Sequence, residues 1–181
     1  MLATWHWHIE ISSKCTLRCP RCSRSEVPAG LINTELDLDF FHRNFTPEFI
    51  RNNVRKITLC GDDGDPIYCH DMISIIRYFK SAYPVEFVII TNGSYKNQSW
   101  WQDLASVLTD RDEIHFSIDG WDHHSNQQYR VNSDFDSILD GIQTLRSVTH
   151  CEIVWAAIAF RFNQNQISHM QHMAKTLGMD L

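Results

Sequence analysis

Val85-Glu86-Phe87-Val88-Ile89-Ile90, running into Thr91-Asn92-Gly93-Ser94, is the stretch whose reading settles the fold class. Its apolar run is nearly unbroken and rich in branched side chains, which makes a strand. A strand with one wet face alternates, whereas a near-continuous run is expected when both faces are covered, the usual state in a parallel sheet. Thr91 to Gly93 then supply a tight turn, for which glycine is suited. Beyond it, Trp100, Trp101, Leu104, Val107 and Leu108 recur at helical intervals. The adjacent tryptophans read as core packing rather than as a stacking platform for a ligand.

The same unit recurs in both directions. Upstream, Pro84 breaks a helix that carries Met72, Ile73, Ile76 and Phe79 along one side. Before that helix, Val54 to Cys60 (VRKITLC) reads as a strand, with Gly61 to Pro66 as the loop after it. Thr46-Pro47-Glu48 starts a helix with a capping hydroxyl and then proline in the first turn. Asp39 to Phe45 reads as another helix, Ser23 to Leu38 as an irregular loop, and Thr4 to Ile11 as the first strand. Downstream, Glu113 to Ile118 forms a fourth strand, followed by the polar stretch Trp121 to Ser133. A helix from Asp134 carries Phe135, Ile138, Leu139, Ile142 and Leu145. Cys151 to Phe160 is the fifth strand. Ile167, Met170, Ala174 and Leu177 mark a last helix, stopped by Gly178. Met179-Asp180-Leu181 opens a sixth strand.

Strand, loop and helix alternating five times imply a parallel sheet with helices outside it and right-handed connections. A closed eight-unit barrel needs about 250 residues. At 181 residues the chain is long enough for one well-buried domain and too short for two. The expected fold is therefore α/β: a partial, open parallel β/α barrel of about five to six units, TIM-barrel-like. It forms a single domain over residues 1–181 that ends at the start of the sixth strand. A doubly wound flat sheet is the alternative, because strand order cannot be read from pattern.

A hydrophobic fraction of 43% and a charged fraction of 21% are those of a soluble globular protein. The formal net charge of -6 argues against nucleic acid as a partner. No apolar run approaches the ~18 residues of a membrane span, and Met1 to Glu10 lacks the features of a signal peptide. Six cysteines in such a chain read as metal ligands plus buried thiols in a reducing cytoplasm.

Three of those cysteines fall in Cys15-Thr16-Leu17-Arg18-Cys19-Pro20-Arg21-Cys22, directly after the first strand. Iron–sulfur clusters normally take four thiolates, but the next cysteine is Cys60. A cubane held by three leaves one iron open to a substrate or cofactor. The same triplet completed by a histidine would make a zinc site, and the chain has ten histidines. His6 and His8, two apart on one strand face, read as a hydrogen-bonded pair before a metal pair. Cys60, Cys69 and Cys151 read as ordinary buried thiols. The other polar and glycine-rich clusters also follow strands: Gly61 to Pro66, Thr91 to Gly93, and Ser117 to Gly120. In parallel sheets and barrels such loops converge on one rim, where ligands bind.

The C-x3-C-x2-C spacing strongly resembles that of the radical S-adenosylmethionine (radical SAM) superfamily, and the likeness extends over nearly the whole chain. The resemblance implies that Cys15, Cys19 and Cys22 hold a 4Fe–4S cluster whose open iron is chelated by S-adenosylmethionine. Gly64-Asp65-Pro66 is similar to the family's Gly-Gly-Glu-Pro motif, which puts Asp65 where a glutamate holds the methionyl amino group; Asp63 replaces the first glycine. Thr91-Asn92-Gly93 resembles the third-strand turn. Ser117-Ile118-Asp119-Gly120 looks like the fourth-strand motif of the peptide-modifying branch, which carries a C-terminal cysteine-rich (SPASM-type) extension that is absent here. There the serine and its polar neighbours approach the ribose and methionyl portion. Arg130 resembles the arginine that pairs with the cofactor carboxylate, and Ile158 packs near the adenine. Arg21 departs from the family, which has an aromatic or large apolar residue at that position.

The implied function is reductive cleavage of S-adenosylmethionine to a 5′-deoxyadenosyl radical, which takes hydrogen from a substrate, with a peptide side chain preferred. Flavodoxin or ferredoxin is the implied electron donor. A truncated protein that binds cluster and cofactor without turnover, a zinc module and an electron-transfer protein are the alternatives.

Overall fold

The computed structural model describes residues 5–180. Thr4, the predicted start of the first strand, and Leu181, the end of the predicted sixth, lie outside them. Five strands, β1 (Trp5–Ile9), β2 (Val54–Leu59), β3 (Glu86–Thr91), β4 (Glu113–Ser117) and β5 (Glu152–Ala156), form one sheet. All neighbours are parallel, in the order β1-β2-β3-β4-β5. A doubly wound sheet reverses its order at a switch point. Sequential order has no such point, so the sheet is an open, partial β/α barrel. Asp180 begins a sixth position: it bridges Val154, accepts from Trp155 N at 2.6 Å and donates to Ile153 O at 3.1 Å.

The helices are α1 (Ser23–Glu26), α2 (Leu38–Asn44), α3 (Pro47–Asn53), α4 (Met72–Ala82), α5 (Gln98–Ala105), α6 (His123–Asn126), α7 (Phe135–Val148) and α8 (Ile167–Thr176). Their starts follow local chemistry. Thr46 accepts from Phe49 N with Pro47 in the first turn, Asn97 caps α5, and Asp134 caps α7. At the end of α8, Gly178 takes a positive φ of 69°. The stretch 23–38 is not wholly irregular, since it contains α1 and a 3-10 turn over Pro28–Gly30. The fifth strand stops at Ala156, short of the predicted Phe160.

Side-chain parity splits the sheet into two faces. Ile57, Leu59, Phe87, Ile89, Ile114, Phe116, Ile153 and Trp155 point outward and are essentially excluded from solvent as part of the main core. Burying each such side chain contributes roughly 1.5–3 kcal/mol. Trp101 is buried in this layer against Phe116, as packing required, and Gly141 on α7 leaves room for its indole. The opposite face carries Lys56, Glu113 and His115 and stays partly open. Both faces of β3 were expected to be covered; in the structure Glu86 and Ile90 remain partly exposed among the described residues. The run is apolar because Val88 and Ile90 face the barrel interior. No helix among the described residues is long and apolar enough to cross a membrane.

Candidate active site

The carboxyl ends of the strands enclose a cavity of about 590 Å³. Cys15, Cys19 and Cys22 line it together with Gly64, Asp65, Thr91, Asn92, Ser117, Arg130 and Ile158. The loops after strands β1 to β5 therefore meet at one place. Two predicted site residues do not line it. Pro66 is buried in the first turn of a short 3-10 helix, and Asp119 is buried behind the wall.

Main-chain contacts join the cysteine loop to the β2 loop. Asp65 N donates to Lys14 O at 2.9 Å. A Cβ on Gly64 would lie 1.9 Å from Ser12 O, so this approach tolerates only glycine. The Ser23 hydroxyl donates to Asp62 O at 2.7 Å and to an Asp63 carboxylate oxygen at 2.8 Å. Arg24 reaches Ser13 O, and Asp63 O at 2.6 Å. Tyr68 adds a third tie, linking Thr16 at 2.7 Å to Ser94 O at 3.0 Å.

Asp65 is 5% exposed and its carboxylate is fully engaged. One oxygen accepts from Ile67 N at 3.2 Å and the Thr91 hydroxyl at 2.8 Å. The other accepts from Asn92 N at 2.7 Å and Asn92 Nδ2 at 2.5 Å. A carboxylate offers about four lone-pair sites, so none is left for the ligand ammonium expected from sequence. Burial pushes the Asp65 carboxyl upward, and the four donors oppose that shift. Asn92 donates from the same amide nitrogen toward Cys15 Sγ at 3.7 Å.

Asp119 performs a different task at the other end of the rim. One oxygen accepts from Arg130 Nε at 2.6 Å and the other from Ile158 N at 2.7 Å. Asn163 Nδ2 donates to the Asp119 carbonyl at 2.8 Å. The carboxylate thus fixes both the guanidinium and the loop beyond β5, where Ile158 sits rather than within the strand. Gly120 is needed beside it, because a Cβ would meet Asn126 N at 2.1 Å.

Burial pushes the Cys15 thiol up to about 11. Cys19 is also raised by burial, with Arg130 pulling the other way. Metal loading from this state must release protons, since the thiolate is the ligand. Among the described residues, no three His, Cys, Asp or Glu side chains converge on a point that would hold a single ion. Three thiols spread around a cavity suit a polynuclear cluster, in which each thiolate takes its own iron. The donor set and the space beside it fit both cluster and cofactor.

Some residues fall differently from their sequence reading. Cys69 and Cys151 are buried thiols, but Cys60 is half-buried and lines the cavity. Burial pushes its thiol to about 11, and His8 Nε2 contacts its sulfur. His6 bonds Thr58 at 2.8 Å, so the two histidines are hydrogen-bonded across to β2. Tyr129 also lines the cavity, beneath the Arg130 guanidinium. Nothing in the sequence pattern marks Tyr129 beyond its place next to Arg130. Arg21 is at the cavity edge, its side chain 81% exposed and paired with Glu26 at 3.2 Å.

With this geometry established, the chain can be compared with known proteins. No protein-family profile matches it. GTP 3',8-cyclase of Rhizobium etli (strain CIAT 652) is 25% identical over 183 residues, covering 99% of this chain and 51% of the cyclase. The chain thus spans about half the length of that relative. Among solved structures, Streptococcus suis SuiB bound to S-adenosylmethionine superposes with a TM-score of 0.78 at 16% identity, over 99% of this chain and 40% of SuiB. SuiB bound to its precursor peptide SuiA gives the same TM-score, 0.78, at 16% identity over 99% of this chain and 38% of that one. These relatives and the shared fold agree with the resemblance to the radical SAM superfamily that the cysteine spacing carries.

Proposed function

We propose that residues 1–181 form a single core domain of a radical SAM enzyme, in which Cys15, Cys19 and Cys22 hold a 4Fe–4S cluster and S-adenosylmethionine occupies the adjoining cavity. The observation that carries this reading is the meeting of three thiols with the loops of four further strands around one cavity. When bound, cluster and cofactor supply reductive cleavage of a C–S bond and a 5′-deoxyadenosyl radical able to take hydrogen from a substrate.

The chain's own residues bind and orient. The β2 loop from Gly61 to Gly64 would offer backbone carbonyls to the methionyl ammonium. Asp65 holds that loop in place and adds negative potential. Arg130 would turn the terminal nitrogens of its fork to the methionyl carboxylate, because Asp119 occupies Nε. Thr91 and Ser117 would lie on the side of the ribose, and Ile158 with Tyr129 would border the adenine. Asn92 stands at the junction of cofactor and cluster.

A peptide side chain is the preferred substrate, supported by the fold shared with SuiB, which is solved with a precursor peptide. The GTP 3',8-cyclase relatives make a nucleotide or modified nucleoside the next class to try. A flavodoxin or ferredoxin in a reducing cytoplasm supplies the electron.

The test is anaerobic. The protein is reconstituted with iron and sulfide, reduced with dithionite and given S-adenosylmethionine, and 5′-deoxyadenosine is assayed. The nucleoside is expected from the native chain and not from a Cys15→Ala, Cys19→Ala, Cys22→Ala variant. A loaded cluster that yields no nucleoside defeats the catalytic reading and leaves a binding protein.

A further inference from the structure

We infer that Asn92 acts on the cluster through Cys15: its side-chain amide donates a hydrogen bond to that thiolate and raises the cluster's reduction potential. The inference rests on the cluster assignment above, and goes beyond it by giving Asn92 a redox task.

The orientation of the amide is fixed by its neighbours. Ser94 N donates to Asn92 Oδ1 at 3.0 Å, which makes that atom the carbonyl oxygen. The NH2 group therefore faces the acceptors on the other side. One of its hydrogens goes to Asp65, at 2.5 Å, and the other points to Cys15 Sγ, at 3.7 Å. That second distance suits the larger radius of sulfur. Asn92 is 5% exposed, so water has little access to replace it. Asp65 also takes the Asn92 backbone N–H and the Thr91 hydroxyl, so backbone and side chain of the turn share one anchor. Gly93 follows with φ 71°, the conformation that lets the chain leave the turn immediately.

Cys15 Sγ also accepts from Leu17 N at 3.4 Å. It thus has two N–H donors, whereas the contact of Cys22 Sγ is with a carbonyl, Asp62 O at 3.9 Å. Reduction places an electron on the cluster and its thiolates. An N–H donor to a thiolate stabilises the more negative state more than the less negative one, and so raises the potential. Asn92 is a positioning and tuning residue in this scheme; it touches a cluster ligand and needs no bond to the cofactor.

Two measurements test it. The first is a potentiometric titration of the reconstituted cluster, followed by electron paramagnetic resonance, in the native chain and Asn92→Leu. Leucine keeps similar bulk and removes the donor. The reduction equilibrium is expected to weaken roughly tenfold, about 59 mV for a one-electron couple. The second uses the native sequence with heavy-nitrogen-labelled asparagine and reads the reduced cluster by pulsed resonance. A hyperfine coupling to the labelled amide is expected, and this readout needs no variant to fold. Equal potentials, or the absence of that coupling in a chain that holds its cluster, overturn the inference alone. A native chain that assembles no cluster overturns the underlying reading, and this one with it.

Discussion

Two buried aspartates hold the two ends of the rim, and they do so by different means. Asp65 is surrounded by neutral donors, two backbone N–H groups, a hydroxyl and an amide, all from its own turn and the β3 loop. Asp119 instead pairs with a guanidinium and one backbone N–H of the loop after β5. The first arrangement locks a turn against the cysteine loop and leaves no lone pair free. The second leaves the outer edge of Arg130 available to an anionic ligand.

The largest effect expected from breaking this pairing is at Asp119. Asp119→Ala leaves a largely buried guanidinium without its partner, a class of change that costs about 3–5 kcal/mol. Urea denaturation of the apo chain should show it as a lower midpoint with little change in slope. Asp65→Ala strands only neutral donors, and it also removes a carboxylate whose burial is itself costly. The expected loss is about 1–3 kcal/mol, smaller than at Asp119 in the same experiment. An equal or larger loss at Asp65 would contradict the distinction between the two ends.

A smaller effect tests the open face of the sheet, away from both. Lys56, at 2.8 Å, and then His115, at 3.0 Å, hold the Glu113 carboxyl below its usual value of 4.5. A depressed carboxylate contributes stability above its unfolded pKa and loses it as pH falls through the lowered folded value. Glu113→Gln should therefore cost about 0.5 kcal/mol near neutrality, after allowance for its partial exposure. That difference should vanish under acid conditions, and stability measured across the acid range checks it.

Much of the fold was legible because it is local. Apolar runs, Pro47 in a first turn, and the caps Thr46 and Asp134 each announce an element within a few residues. The loops that bear the site were legible for the same reason, since each follows a strand. Cys60 was misread although a signal existed. In VRKITLC, Ile57 and Leu59 share the outward face, and parity then sends Lys56, Thr58 and Cys60 inward, toward the cavity. Strand order and the saturation of Asp65 were not legible. The latter depends on Thr91 and Asn92, 26 and 27 residues further along the chain. The open inner face was hidden too, because Val88 and Ile90 give β3 the composition of a strand covered on both sides.

The most direct test of the central claim reads the metal centre itself. Anaerobically reconstituted protein is assayed for iron and sulfide, and the reduced cluster's electron paramagnetic resonance spectrum is recorded before and after S-adenosylmethionine is added. The account predicts a brown protein with about four irons per chain, lost in Cys15→Ala, and a spectrum that changes on addition of the cofactor because it binds the open iron. A colourless chain that takes zinc through the same cysteines, or a cluster whose spectrum ignores the cofactor, would contradict it.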